Sequence, residues 1–218
     1  MAKLKIQSFS TGALGCNCSI IYSDESKQAI IIDPGDDEFN IISKVEKLGL
    51  KVVKLLHTHA HFDHIGCSKS LKNKLGCSMH LHQGDEQLYQ ALSVQRQMFA
   101  IGDGDGPGVI DSWLLDEEEF SLDDEFKYFL KTLYTPGHTE GSCCFYTEYF
   151  EKPILFAGDT LFQESIGRTD LPGGDFEKIK KSIKQRLYML PDETRVITGH
   201  GPETSIFNEK RSNPFIRG

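Results

Sequence analysis

Five of the eight histidines and two aspartates fall in one order along the chain. They lie in His57-Thr58-His59-Ala60-His61-Phe62-Asp63-His64, in Thr135-Pro136-Gly137-His138, in Gly158-Asp159-Thr160 and in Thr198-Gly199-His200-Gly201. Imidazole and carboxylate in such blocks are ligand sets for transition-metal ions. His59 and His61, two apart after a strand, can point to one side and grip one ion, with His138 completing that set. Asp63 and His64 open the following helix and point elsewhere, toward a second ion that His200 completes. Asp159 is the natural bridging carboxylate. Two ions about 3.5–4 Å apart can share a hydroxide and polarise a carbonyl. Metal also lowers the pKa of water toward ~7, which gives a nucleophile without Ser or Cys. Asp63, a ligand that can also orient the hydroxide, is the candidate catalytic residue. His57 shares the strand phase of His59 and reads as a hydrogen-bond support or pocket wall. His80 and His82 form a pair with no acid or imidazole at matching spacing, and read as structural or surface residues.

These groups need elements to aim them, and each follows a hydrophobic run that reads as a strand. Residues 18–22, 29–32 and 52–56 are strands in the first half, the last running straight into the histidine cluster. Asp33-Pro34-Gly35 stops the second. Phe39, Ile42, Val45 and Leu48 recur at helical spacing, and Gly49 closes that helix. Residues 63–75 read as one helix ended by Gly76, 77–81 as a strand and 85–99 as a helix. The run from Gly102 to Gly108 is a loop. Its Gly/Asp alternation lacks the bidentate Glu that a calcium loop requires. From Phe126 the chain returns to strands at 129–134, 143–149, 154–157 and 195–198. An amphipathic helix over 176–190 and a short one from Glu203 to near Pro214 complete the pattern. Two halves of β and α character, each ending in ligand groups, predict two sheets packed face to face with helices outside. The ligands then converge in one cleft at the sheet edges.

Composition narrows the function. The net charge of −8 comes without any Lys/Arg run, so no nucleic-acid footprint is present. The longest apolar stretches are about six residues, far short of a membrane span. The N-terminus shows no secretory signal, so the expected location is the cytoplasm. None of the six cysteines has C-x-x-C spacing. In a reducing compartment they are expected as buried thiols. At 218 residues one domain or two small ones are possible.

The blocks resemble the metallo-β-lactamase superfamily, whose hallmark is H-x-H-x-D-H followed by distant His, Asp and His. The resemblance spans nearly the whole chain. Asp33, in Ile32-Asp33-Pro34-Gly35, resembles the early Asp that supports the histidine loop in that family. Within the superfamily the chain is most similar to the glyoxalase II group, through residues 58–64, 135–139 and 157–160. Residues 165–175, the ending Gly199-His200-Gly201-Pro202, then Glu209 and Asn213-Pro214-Phe215, resemble its short bacterial members.

The resemblance implies an α/β fold, a four-layer αββα sandwich formed by a single domain over residues 1–218, with the metal site at the edge between the sheets. It implies two divalent metal ions per chain, zinc first, with iron or manganese as alternatives. It also implies thioester hydrolysis through a metal-bridging hydroxide, with a small-molecule, glutathione-derived thioester such as S-D-lactoylglutathione as partner. A thiolate of pKa near 8.5 leaves without a strong general acid. Full-length glyoxalase II carries a C-terminal helical domain that contacts glutathione. The stretch after His200 is too short to hold it. Arg168, on a Gly-flanked loop, is the candidate for holding a substrate carboxylate by a bidentate contact, with a surface or fold-internal salt bridge as the equal alternative. The competing readings are a mononuclear-iron persulfide dioxygenase built on His59, His138 and Asp159, a lactonase or β-lactamase, and a non-catalytic metal-binding protein.

Overall fold

The computed structural model describes residues 4–102, 104–121 and 128–218. Residues Met1 to Lys3, Asp103 within the predicted 102–108 loop, and Phe126 lie outside the described residues.

The first sheet has six strands in the order β1 (Leu4–Thr11), β2 (Cys16–Ser23), β3 (Gln28–Ile32), β4 (Lys51–Leu56), β5 (Ser78–His82) and β6 (Ser112–Leu114). β1–β2–β3 is an antiparallel meander, and β3 to β6 run parallel. The second sheet contains β7 (Glu119–Ser121), β8 (Phe129–Tyr134), β9 (Cys143–Thr147), β10 (Ile154–Gly158), β13 (Arg195–Thr198) and β14 (Thr204–Ser205). Its order is β14-β13-β10-β9-β8-β7, with only β10 and β13 parallel. A small hairpin, β11 (Leu161–Phe162) with β12 (Ser165–Ile166), follows β10.

Strand alternation decides what faces what. Ile21, Ile30, Ile32 and Leu56 of the first sheet pack on Leu130, Phe145, Phe156 and Ile197 of the second. The neighbours one residue away, Ile20, Ile31 and Leu55, face helices α1 (Glu38–Leu48) and α3 (Ser68–Leu75) through Ile41, Val45 and Leu71. On the far side, Leu155, Ala157 and Val196 pack under α6 (Phe176–Gln185) and α7 (Ile206–Ser212) through Ile179, Ile183 and Ile206. The result is the predicted αββα sandwich. All six cysteines are buried free thiols, and no helix among the described residues is long and apolar enough to cross a membrane.

Several boundaries differ from the sequence reading. The expected helix over 63–75 is two, α2 (Phe62–Ile65) and α3, because the Asp33-Pro34-Gly35 turn diverts its backbone bonds. Gly35 N donates to His64 O at 2.9 Å, and Cys67 N donates to Gly35 O at 2.9 Å. The helix expected over 85–99 breaks at Ala91 into α4 (Glu86–Gln90) and α5 (Leu92–Met98). There Gln95 Nε2 donates to Leu88 O, the carbonyl that a continuous helix would offer to the next turn. β1, β6, β7 and the short β11, β12 and β14 carry too little apolar run to stand out in the sequence. The helix expected from Glu203 starts at Ile206, capped by Ser205 Oγ, which accepts from Asn208 N.

Candidate metal centre

The ligand groups sit at the C-terminal ends of the parallel pairs β3/β4 and β10/β13, where an α/β sheet leaves its crevice. β4 delivers His59, His61, Asp63 and His64; β10 delivers Asp159; β13 delivers His200. His138 comes from the turn after β8. Backbone bonds join these loops across the two sheets. Cys143 N donates to Thr58 O at 2.8 Å, and Asn17 N donates to Gly199 O at 2.7 Å. Gly199 has no room for a side chain, since a Cβ there would stand 2.0 Å from Asp159 Oδ1. Gly158, at φ 48°, is nearly as tight, since a Cβ there would stand 2.3 Å from Thr58 Oγ1.

All seven predicted ligand residues meet in one cluster. Three groups have ligand atoms within 4.8 Å of one another: His59/His61/His138, His59/His64/Asp159 and Asp63/His64/His200. His138 Nε2 faces His61 Nδ1 at 3.0 Å, and His64 Nε2 faces His200 Nε2 at 3.1 Å. Asp159 lies between the two sets, 3.6 Å from His138 Nε2 and 3.4 Å from His64 Nε2. Asp63 Oδ2 is 3.1 Å from His200 Nε2.

The far nitrogen of four rings is held by an acceptor, which fixes where the lone pair points. His64 Nδ1 donates to Asp33 Oδ2 at 3.1 Å. His59 Nδ1 donates to Thr58 Oγ1 at 3.0 Å, and Thr58 Oγ1 donates on to Asp33 Oδ2 at 2.6 Å. His138 Nδ1 donates to Arg168 O at 2.8 Å, and His200 Nδ1 to Leu14 O at 3.1 Å. Each Nε2 lone pair therefore points into the cluster.

That donor set fits divalent cations. Two lone pairs facing at 3.0–3.1 Å repel unless a cation lies between them. Two atoms bound tetrahedrally to one ion at about 2.0–2.1 Å stand roughly 3.3–3.4 Å apart, close to the spacings observed. His59 Nε2 and Asp159 Oδ1 are buried without any hydrogen-bond partner, a costly state that a bound ion relieves. Burial, then the neighbouring imidazoles, push His59 well below the usual histidine range, and burial with His138 takes His61 down to about 3, so both rings are neutral. Burial pushes His64 and His200 down too, but Cys16, Asp159 and Asp63 outweigh it at His64, and Asp63 and Asp159 at His200, so without a cation both hold a proton that a bound ion would displace. Burial pushes the Asp159 carboxyl up, but His64, His138 and His200 outweigh it and hold it below the ordinary range.

Other residues stand elsewhere. The Arg168 guanidinium is half-exposed and makes two 2.8 Å bonds to Asp170, so only its backbone carbonyl reaches the cluster. His57 is buried, donating from Nδ1 to His80 O and accepting at Nε2 from Ser68 Oγ; it ties β4 to β5 and α3. His80 bonds Ser78, and His82 stacks on Tyr134.

Three supporting residues went unnoticed in the sequence. Asp85 accepts from Ala60 N, Thr139 Oγ1 and Gly141 N at 2.7–2.9 Å, joining the His61 and His138 loops. Gln95 Oε1 accepts from Phe62 N while its Nε2 donates to Ala60 O. Asn17 Nδ2 donates to Thr198 O and Gly201 O. The one local signal was Gly84-Asp85 directly after a strand. Beside His61 opens a cleft of about 650 Å³, walled by residues 83–88, α5 and residues 171–173.

This fold with this donor set defines a metallohydrolase class. A profile of the Metallo-beta-lactamase superfamily matches residues 11–200, and the chain belongs to that superfamily. Hydroxyacylglutathione hydrolase GloC of Haemophilus influenzae is 41% identical over 201 residues, 92% of each chain. Among solved structures, TTHA1623 in a di-iron-bound form is similar at 33% identity and TM-score 0.86, over 96% of this chain and all of that one. BLEG-1, a B3 metallo-beta-lactamase, is similar at 32% and 0.85, over 98% of this chain and all of its own.

Proposed function

We propose that the protein is a metal-dependent thioester hydrolase acting on S-D-lactoylglutathione or a related hydroxyacyl thioester. What supports this reading is the clustering of His59/His61/His138 and Asp63/His64/His200 around Asp159, with a cleft opening at His61. The relative in Haemophilus influenzae, named a hydroxyacylglutathione hydrolase, supports the substrate class. His59, His61 and His138 would hold one divalent ion and Asp63, His64 and His200 the other, with Asp159 shared; zinc is favoured over iron or manganese. When bound, the pair supplies an ionised water at neutral pH and Lewis acidity toward the carbonyl oxygen.

The chain's own residues do the rest. Asp33, Thr58, Arg168 O and Leu14 O keep the ligand rings in the tautomer that offers Nε2. Asp63, the candidate catalytic residue, accepts a hydrogen bond from the attacking water and orients it. The thiolate leaves unaided, because its pKa is about 8.5. The described residues work as one domain, in a reducing cytoplasm where the six thiols stay unpaired.

The test is a panel of thioesters and matched amides, with protein purified without added metal and then reloaded. Thioester turnover well above amide turnover, abolished by chelation, is expected, since an amine leaves poorly without an acid. Loaded protein that turns over no thioester but consumes oxygen with a persulfide sinks the reading. The mononuclear-iron dioxygenase then takes its place.

A further inference from the structure

The cleft beside His61 has a chemical character of its own. Val94 and Met98 lie one helical turn apart on α5 and are 57% and 70% exposed, and Phe99 follows at 45%. Leu171 and Pro172 also line the cleft. Exposed apolar side chains gathered around one opening mark a ligand site more often than chance.

Its charges are all of one sign. Glu86 and Glu140 line the cleft, exposed and without an ion-pair partner among the described residues. Asp85 also lines it, but its oxygens are spent on Ala60, Thr139 and Gly141. No Lys or Arg among the described residues lines the cleft. The guanidinium of α5, Arg96, is held outside it by Asp36 and Gly102 O. Arg168 is engaged by Asp170. A glutathione carrier brings two carboxylates against one ammonium, a net negative charge. In this cleft its carboxylates would lose hydration without gaining a cation, and its net charge would meet like charge.

We infer that the cleft selects thioesters whose remote portion is apolar and free of negative charge, so that the preferred carrier is neutral or cationic rather than glutathione-like. This rests on the thioester-hydrolase reading and narrows it. Three D-lactoyl thioesters separate the cases: those of glutathione, N-acetylcysteamine and thiocholine. At low ionic strength, kcat/KM for the neutral and cationic thioesters should exceed that for the glutathione thioester roughly tenfold. Added salt should shrink the gap. The double variant Glu86→Lys/Glu140→Lys should move the ratio toward glutathione by about tenfold, the scale of local like-charge repulsion. Binding gives a readout free of turnover. Metal-free protein should bind S-hexyl-N-acetylcysteamine more tightly than S-hexylglutathione by calorimetry. The inference is overturned if wild type prefers the glutathione conjugate in either assay, or if the lysine variant leaves the ratio unchanged. If loaded protein turns over none of the three, the hydrolase reading falls, while the thioether binding order still decides the charge preference of the cleft.

Discussion

Asp33→Asn puts the metal centre under the sharpest test. Asp33 Oδ1 accepts from Thr58 N at 2.8 Å, and Oδ2 accepts from Thr58 Oγ1 at 2.6 Å and His64 Nδ1 at 3.1 Å. An amide of the same shape cannot accept all three. With its nitrogen at the Oδ2 position, it presents N–H to the His64 Nδ1–H. His64 relieves this by moving its proton to Nε2, the nitrogen that faces His200, Asp63 and Asp159. The same swap forces Thr58 Oγ1 to accept from the amide, which disturbs its bond with His59 Nδ1. With the amide flipped the other way, its N–H opposes the Thr58 N–H instead. Either orientation leaves a buried donor unpaired, at about 1–3 kcal/mol. Ligand affinity should fall by the 10–100-fold typical of a supporting residue, about 1.4–2.7 kcal/mol per site. The site containing His64 should suffer most. Chelator competition gives the affinities, and imidazole nitrogen NMR of the metal-free protein, at a pH high enough to leave His64 neutral, gives the tautomers. Two ions retained at wild-type affinity, with His64 still protonated at Nδ1, would refute the reasoning.

Fully loaded wild type should hold close to two ions per chain by elemental analysis. His200→Ala should lose one, and Asp159→Ala should weaken both; a single iron unaffected by His200→Ala would favour the mononuclear dioxygenase. Arg168→Ala should leave metal content unchanged and alter kcat/KM by less than about threefold, because its partner is an exposed carboxylate. A larger loss confined to carboxylate-bearing substrates would restore Arg168 as a substrate contact. Burial, then Lys54, takes His80 down to about 4, so the unfolded chain, at about 6.5, binds the proton first as pH falls. Metal-free protein should thus lose roughly 2–3 kcal/mol between pH 6.5 and 4 through this residue, and His80→Gln should show a flatter denaturation profile over that window. Buried Glu209 accepts from Thr204 Oγ1, Asn213 Nδ2 and Glu164 N. Glu209→Ala should cost on the order of 3 kcal/mol or more in urea unfolding and loosen the hairpin that leads into Arg168, whose carbonyl bonds His138; a near-neutral result would show that water replaces the carboxylate.

The seven clustered His and Asp residues were legible because metal chemistry restricts both residue type and spacing. The sandwich was legible because Ile20/Ile21 and Ile30/Ile31 alternate between two apolar faces. Helix ends at 65 and 91 were not, because each break is set by a tertiary bond, from Gly35 and Gln95 respectively. β1 was missed as an edge strand whose outer residues are half-wet. Asp85 and Asn17 carry no periodic signal, and their role appears only when loops distant in sequence meet. The cleft is invisible for the same reason, since four separated segments line it.

The structure separates the chemistry from the selection of substrate. The loops that carry ligands are stitched to one another by backbone bonds: Asn17 to Gly199, Cys143 to Thr58, and Gly199 N to Gly158 O at 2.7 Å. The first two bridge the two sheets and the third ties β13 to β10 within one of them, so the spacing of the cluster follows from strand register. α5 is joined to the centre chiefly through Gln95, on Ala60 and Phe62. Val94 and Met98 are exposed beyond that anchor, Phe99 packs partly on Phe62, and Glu86, at the start of α4, and Glu140, in the turn after His138, form no ion pair among the described residues. The cleft can therefore change its polarity and charge while the donor set stays fixed, which is how one rigid scaffold serves different substrates.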